Sequence, residues 1–321
     1  MIKSPIKKKI NLALIGFGSI GLIHAAALRK LEKQTGIVLK AVADPKPKNK
    51  SLNLLYFQDY RKILEDKNIN VVTIATPPNT HYQITKEALA AGKDVLLEKP
   101  PTLRIEQLSE LAGIATKNNL VLFTAYHACY RPEVDLAGQE LKDKKVREVE
   151  ISYGEYVLNY HNSQGWIFNP EIAGGGIIMD SGINAISIIQ TVLPYSNLRV
   201  IKTKLSKKSN FKVETSAEVN FTLGEIGKGV LKMNWFHRGD EIRQITFRTE
   251  NDIYVLDIVQ NQLTKNGVPL MGQDDERRMV DMNIEYEGVY KDFTDHLIRR
   301  ESLVRTKELK FVLDVYKAVE N

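Results

Sequence analysis

Between residues 10 and 126 the chain alternates short apolar runs with stretches in which apolar residues recur at three and four. The runs are 10–16 (INLALIG), 37–44 (IVLKAVAD), 71–76 (VVTIAT), 94–100 (DVLLEKP) and 120–126 (LVLFTAY), all rich in Val, Ile and Leu. Runs so short and so uniformly apolar predict strands buried on both faces, which is the pattern of a parallel sheet. The intervening segments 22–34, 53–66, 81–92 and 104–118 predict the amphipathic helices that cover it.

After residue 145 the period changes. Segments 146–157, 213–223, 228–235, 241–250 and 251–258 alternate apolar with polar residues between Gly, Asn and charged turns, which predicts an antiparallel sheet. A helix over about 180–192 interrupts it, and two more close the chain at 284–299, with Tyr286, Tyr290, Phe293 and Leu297 on one face, and at 306–319. The fold class expected is therefore α/β followed by α+β, with residues 1–127 as a dinucleotide-type domain and 128–321 as a domain on an open, mostly antiparallel sheet. An uncovered apolar face on such a sheet is costly in water, so a homo-oligomer formed through it is expected.

Composition narrows the class. The 321 residues are 43% hydrophobic and 26% charged, which fits a globular chain and neither a disordered nor a collagen-like one. The formal charge of +6 is local, because Lys3, Lys7, Lys8 and Lys9 fall in the first ten residues with no acid among them, and no nucleic-acid surface is expected. Asp180 breaks the longest apolar stretch, so no membrane span is expected either. Cys129 is the only cysteine, which forbids an intrachain disulfide and suits a reducing cytoplasm. The basic and then apolar N-terminus imitates a secretory leader, but cleaving it would remove the first strand.

That apolar run ends in G-F-G-S-I-G, with Gly16, Gly18 and Gly21 directly between a strand and a helix. The first glycine permits a tight turn, the second lets backbone approach a pyrophosphate, and the third lets helix and strand pack closely; Phe17, Ser19 and Ile20 then lie on the anion's path at the helix N-terminus. Asp44 closes the next strand, 23 positions beyond Gly21, where a carboxylate accepts from ribose hydroxyls and repels a 2′-phosphate. This favours NAD; Lys46, Lys48 and Lys50 leave NADP open as the alternative. The loop Thr76, Pro77, Pro78, Asn79, Thr80, His81 follows the strand 71–76 and is expected at the carboxyl edge of the sheet beside the nicotinamide half, or simply to end the strand, with Asn79 or Thr80 capping the next helix.

Glu98 and Lys99 end a buried strand where the crevice of such a sheet opens, and both are expected as cofactor contacts there. A lysine there is costly unless paired or used; its ammonium either holds a substrate hydroxyl or forms a salt bridge. One of the bonds preceding Pro100 or Pro101 is expected to be cis, because the strand must turn sharply there. Asp180 and Asn184, after the triple glycine Gly174 to Gly176, are four apart and so share a helix face, unless Asp180 only caps that helix. Glu155, Tyr160, His161, Asn162, Gln164 and Trp166 mix hydrogen-bonding groups with flat rings, as a pyranose requires, or make a polar loop with a core tryptophan. His24, His237 and His296 read as core or surface histidines, and no metal-ligand spacing is present.

G-x-G-x-x-G, A-T-P-P-N-T-H, E-K-P and G-G-G-x-x-x-D-x-G together resemble the Gfo/Idh/MocA oxidoreductases over essentially the whole chain. The resemblance implies hydride exchange with a nicotinamide cofactor, with Lys99 and Asp180 catalytic. Many members carry histidine four residues after the aspartate; this chain has Asn184. E-K-P-P, Tyr126-His127, the segment Trp166 to Pro170 and D-S-G-I-N-A-I-S-I are similar to the bacterial L-arabinose and D-galactose 1-dehydrogenases, a similarity that fades after residue 240. It implies oxidation of an aldose at C1 with His127, Glu155, His161, Trp166 and Trp235 as sugar contacts. Other expectations that stay open are a ring-hydroxyl or keto-sugar enzyme and a non-catalytic dinucleotide- and sugar-binding sensor.

Overall fold

The computed structural model describes residues 9–46, 54–271 and 282–319, so Lys48 and Lys50 lie outside the described residues. The chain divides into two compact units, with a break after His127. In the first, six strands, β1 (Ile10–Ile15), β2 (Ile37–Ala43), β3 (Leu55–Phe57), β4 (Val71–Ile74), β5 (Asp94–Glu98) and β6 (Leu122–Ala125), form one sheet in the order β3-β2-β1-β4-β5-β6. Every neighbouring pair is parallel. The order reverses at β1, which puts the carboxyl ends of β1 and β4 beside a topological switch point. Helices α1 (Ser19–Thr35), α2 (Arg61–Glu65), α3 (Pro78–Ala90) and α4 (Ile105–Lys117) connect the strands. Ile15, Val72, Ile74 and Leu97 on one sheet face join Ile84, Leu89 and Leu111 from α3 and α4 in a single buried cluster.

The stretch 53–66, read above as helical, is divided. Leu55, Tyr56 and Phe57 pair with Ala41, Val42 and Ala43 as an edge strand, leaving only Arg61–Glu65 helical. Two aromatics and a leucine in succession gain more from pleated pairing than from one extra helical turn.

The second unit holds α5 (Pro132–Leu141), α6 (Pro170–Ala173) and α7 (Ile183–Val192) with eight strands: β7 (Glu148–Gly154), β8 (Leu198–Ser206), β9 (Ser216–Leu223), β10 (Gly227–Asn234), β11 (Ile242–Arg248), β12 (Ile253–Asp257), β13 (Gln262–Lys265) and β14 (Val268–Pro269). Their order is β14-β13-β12-β11-β7-β10-β9-β8. All neighbours are antiparallel except β7 and β10, so the sheet is mixed but mostly antiparallel. The edge strand β8 was not among the expected ones, because its lysines at 202 and 204 and its arginine at 199 obscure the alternation.

Val149, Ile151, Val219, Phe221, Leu231, Ile245 and Phe247 point to the dry face. The opposite face carries Lys204, Glu218 and Lys232 around a groove of about 440 Å³, with Lys232 Nζ 3.4 Å from Glu150 Oε1. Its outward positions mix these charges with polar residues and with half-buried Val230 and Val255. Pro170–Val192, apolar and long enough by composition to cross a membrane, has 78% of its most apolar window buried in the protein interior.

A contiguous domain 128–321 is not what forms. Helix α8 (Met282–Arg299) and the residues up to Thr306 belong to the first unit, and the remainder of α9 (Thr306–Lys317) to the second. The reason is the apolar face of α8: Tyr290 reaches Thr73 of β4 at 3.1 Å, and the Phe293 ring lies 5.3 Å from that of Phe123 on β6.

Candidate active site

In the first unit the loop from β1 into α1 shows why three glycines are needed. Gly16 has φ +95°, and a Cβ there would lie 2.4 Å from the Ala75 carbonyl oxygen. A Cβ on Gly21 would lie 2.4 Å from the Gly16 oxygen, so α1 packs directly on the turn, whereas around Gly18 there is open space within 4 Å. No side chain caps α1, so its first amides remain available to an anion. Phe17 is buried, Ser19 exposed and Ile20 half-buried. Asp44 Oδ2 accepts from the Phe17 amide at 2.8 Å and Oδ1 from the Lys46 amide at 2.7 Å, which ties the end of β2 to the glycine loop. Each oxygen keeps a second lone pair for a ribose hydroxyl. The cradle fits a dinucleotide.

The loop after β4 departs from expectation. Pro78 occupies the first helical position of α3, and neither Asn79 nor Thr80 caps it; Thr80 Oγ1 instead bonds the Pro77 carbonyl at 2.7 Å and Thr76 Oγ1 at 2.7 Å. Asn79 is exposed and Thr76 and Pro77 are half-buried. His81 is 1% exposed, with Nε2 on the Thr76 carbonyl at 2.7 Å and Nδ1 on the Pro100 carbonyl at 2.8 Å. Burial pushes its pKa down, against the pull of the two carbonyls. Both ring nitrogens face backbone carbonyls, so His81 staples this loop to the loop after Lys99. The Lys99–Pro100 bond is cis.

Glu98, expected as a cofactor contact, turns inward. Its Oε2 accepts from the Lys99 amide at 3.1 Å, and its Oε1 lies 3.0 Å from His24 Nε2. His24, wholly buried, places Nδ1 2.9 Å from the Tyr290 hydroxyl, which in turn lies 3.1 Å from Thr73 Oγ1. With Glu98 ionised, one direction satisfies the chain: Thr73 donates to Tyr290, Tyr290 to Nδ1, and Nε2–H to the carboxylate. Burial opposes charge on Glu98, but the His24 bond and the charges of His127 and Lys99 hold its carboxyl below the ordinary value. Burial pushes the Tyr290 hydroxyl well up. His127, expected to meet substrate, stacks on Tyr286 with ring centroids 5.1 Å apart and pairs through Nδ1 with Glu285, a neighbour 3% exposed. His24, Tyr286, Tyr290 and Glu285 were invisible as site residues because helical spacing identifies a buried face, not its polar partners.

In the second unit Gly174 to Gly176 lead into a π-helical turn, Ile178–Gly182, continued by α7. Such turns hold one residue more than an α turn and recur at functional sites. Asp180 lies inside this turn, its amide on the Gly176 carbonyl at 3.0 Å; it is not the cap of either element. Asn184 stands in the first turn of α7, and its buried Oδ1 has no hydrogen-bond partner among the described residues. Between them Ser181 donates to Glu155 Oε1 at 3.0 Å and accepts from Trp235 Nε1 at 3.2 Å. Trp235 is 0% exposed, packed edge-on against Phe168 at 5.8 Å. Its indole supports Ser181 and offers no face to a sugar, which corrects the expectation.

Glu155 Oε2 accepts from Arg243 at 2.7 Å, and Arg243 also pairs with Glu241 at 2.5 Å. Although burial opposes it, these two carboxylates push the guanidinium pKa up. Tyr160 donates to Glu241 at 3.0 Å, while His161 is half-buried and Trp166 is 43% exposed. Arg243, Glu241 and Ser181 were not among the candidates, since arginine and glutamate on a half-polar strand look like solvated face.

A parallel sheet with a glycine-rich phosphate cradle at its switch point, joined to a second unit that carries a carboxylate in a π turn, defines a two-domain dinucleotide-dependent oxidoreductase. Residues 10–126 match the oxidoreductase family with NAD-binding Rossmann fold, and residues 145–254 the GFO/IDH/MocA C-terminal domain. The chain belongs to the Gfo/Idh/MocA family. It is 27% identical over 309 residues to a galactose 1-dehydrogenase of Pseudomonas fluorescens, covering 96% of this chain and 95% of that protein. The crystal structure of a D-galactose-1-dehydrogenase from Rhizobium etli superposes with TM-score 0.86 at 25% identity, covering 99% and 97% of the two chains. A levoglucosan dehydrogenase in complex with NADH shares the fold, with TM-score 0.83 at 18% identity over 97% of this chain and 98% of that one.

Proposed function

We propose that the protein oxidises the C1 hydroxyl of an aldopyranose of the L-arabinose or D-galactose type to the lactone, with NAD preferred over NADP. The observation that carries this reading is Asp180 inside a π turn with Asn184 one turn further on, its buried carbonyl oxygen lacking a partner among the described residues. Oxidation requires a group that takes the hydroxyl proton and one that stabilises the developing alkoxide. Asp180 takes the proton, Asn184 orients O1, and Lys99 supplies positive charge to the oxygen. NAD, when bound, accepts the hydride.

An amide is a poor base, and with asparagine at 184 the proton falls to Asp180. A C1 hydroxyl is more acidic than an ordinary ring alcohol and its oxidation yields a stabilised ester, so a carboxylate suffices, which favours C1 over other carbons. Trp166 and Tyr160 present flat surfaces suited to the C–H face of a pyranose, and Glu155 and His161 the polar groups its hydroxyls need. Asp44 carries the preference for NAD.

Screening aldoses and inositols for NAD reduction tests the reading. Lys99→Met and Asp180→Ala are each expected to lower kcat on the best aldose by at least ~100-fold, with NAD affinity unchanged. Turnover confined to inositols or keto sugars moves the reaction to another carbon; binding of dinucleotide and sugar without turnover makes the protein a sensor.

A further inference from the structure

The glycines before Asp180 are squeezed by two residues that the reaction itself does not call for. A Cβ on Gly175 would stand 2.0 Å from the Tyr316 hydroxyl, and one on Gly176 would stand 2.0 Å from the Glu214 carbonyl oxygen. Glu214, in the loop between β8 and β9, brings a single carboxylate oxygen to three donors: the Tyr316 hydroxyl at 2.7 Å, the Gly176 amide at 2.9 Å and the Ile178 amide at 3.2 Å. Its own carbonyl accepts from the Ile177 amide at 3.1 Å. Glu214 thus satisfies three consecutive amides at the entry of the π turn, and Tyr316 on α9 closes over the carboxylate. The next bonds in line are those of Asp180 to the Gly176 carbonyl and of Ile183 to the Ile178 carbonyl, which shape the turn itself.

A π turn is less favourable than an α turn and persists where its surroundings impose it. Released at its entry, it relaxes toward α geometry, which changes the angle at which Asp180 stands relative to Asn184 and to the rest of α7. We propose that Glu214 and Tyr316 are positioning residues, a carboxylate and phenol clamp that maintains the π turn and so fixes the orientation of Asp180 relative to Asn184. This rests on the reading that Asp180 takes the substrate proton. It also accounts for the run of three glycines, two of which leave the space the clamp occupies.

The test compares Glu214→Ala, Glu214→Gln and Tyr316→Phe with Asp180→Ala, singly and combined. Glu214→Ala is expected to lower kcat at least tenfold and Tyr316→Phe several-fold, with NAD affinity unchanged. Glu214→Gln is expected to retain turnover, because an amide oxygen offers the same acceptor. Added to Asp180→Ala, neither clamp variant costs anything more. Hydrogen exchange at the Gly176 and Ile178 amides is expected to accelerate in Glu214→Ala. Wild-type turnover in both clamp variants, or losses that multiply with that of Asp180→Ala, would overturn the proposal. Near-normal turnover by Asp180→Ala alone removes the functional reading instead, and unchanged amide exchange in Glu214→Ala then overturns the clamp on its own.

Discussion

Replacing His24 with alanine removes the ring nitrogen that lies 3.0 Å from the buried Glu98 carboxylate. Removing the donor of a hydrogen bond to a buried charged group costs ~1.5–3 kcal/mol, because the carboxylate is left short of a partner. Glu98 keeps the Lys99 amide at 3.1 Å and the neighbouring charges of His127 and Lys99, which places the cost at about 2 kcal/mol. For a unit of this size that lowers the melting temperature by ~4–8 °C. The dependence on pH carries the sign. In the native protein the Glu98 carboxyl lies below its ordinary value, so its stabilisation is present above the unfolded value and is lost as pH falls through the folded one. In the variant, burial acts with less opposition and raises the carboxyl. The deficit is then largest at neutral and alkaline pH and shrinks as acid neutralises the group. Thermal melts followed by circular dichroism at pH 5 and pH 8 read both. A deficit equal at the two pH values, or below ~1 kcal/mol at pH 8, would show that Glu98 is not held as a buried anion by His24. Glu98→Gln in the same background is expected to recover much of the loss.

Gly16→Ala places a methyl 2.4 Å from the Ala75 carbonyl oxygen at a φ of +95°. It is expected to weaken NAD binding by at least tenfold in a calorimetric titration while leaving the second unit's helix and strand signals intact. Asp44→Ser is expected to erase a preference for NAD over NADP of about tenfold, or ~1.4 kcal/mol, in parallel titrations of the two cofactors; equal affinities in the parent protein would refute the assignment.

The chain's periodicity carried the parallel sheet, because β1, β4, β5 and β6 are buried over most of their length and are dominated by Val, Ile, Leu and Ala. It failed at β3, too short to show a period, at β8, whose outward arginine and lysines obscure the alternation, and at the short strands β13 and β14. Of the candidate site, the glycine loop and Asp44 were legible because spacing within one strand-loop-helix unit sets their geometry. Glu98, His127 and Trp235 hold internal partners that the sequence did not announce, for one shared reason. Their chemistry suits a ligand, but His24, Glu285 and Ser181, distant in sequence, engage them first. No local pattern announces a partner 74 or 158 residues away.

The exchange of segments near the C-terminus has a consequence during synthesis. Tyr290 and Phe293 complete the interior of the unit that begins the chain, while Phe311, its ring 5.4 Å from Phe221, and Tyr316 complete the other. Neither unit possesses its full interior until the last two helices have left the ribosome. A nascent chain halted before α8 presents two incomplete bodies with apolar surface uncovered, the condition under which chaperones bind and aggregation begins. Both halves are thus sealed almost together, by neighbouring helices.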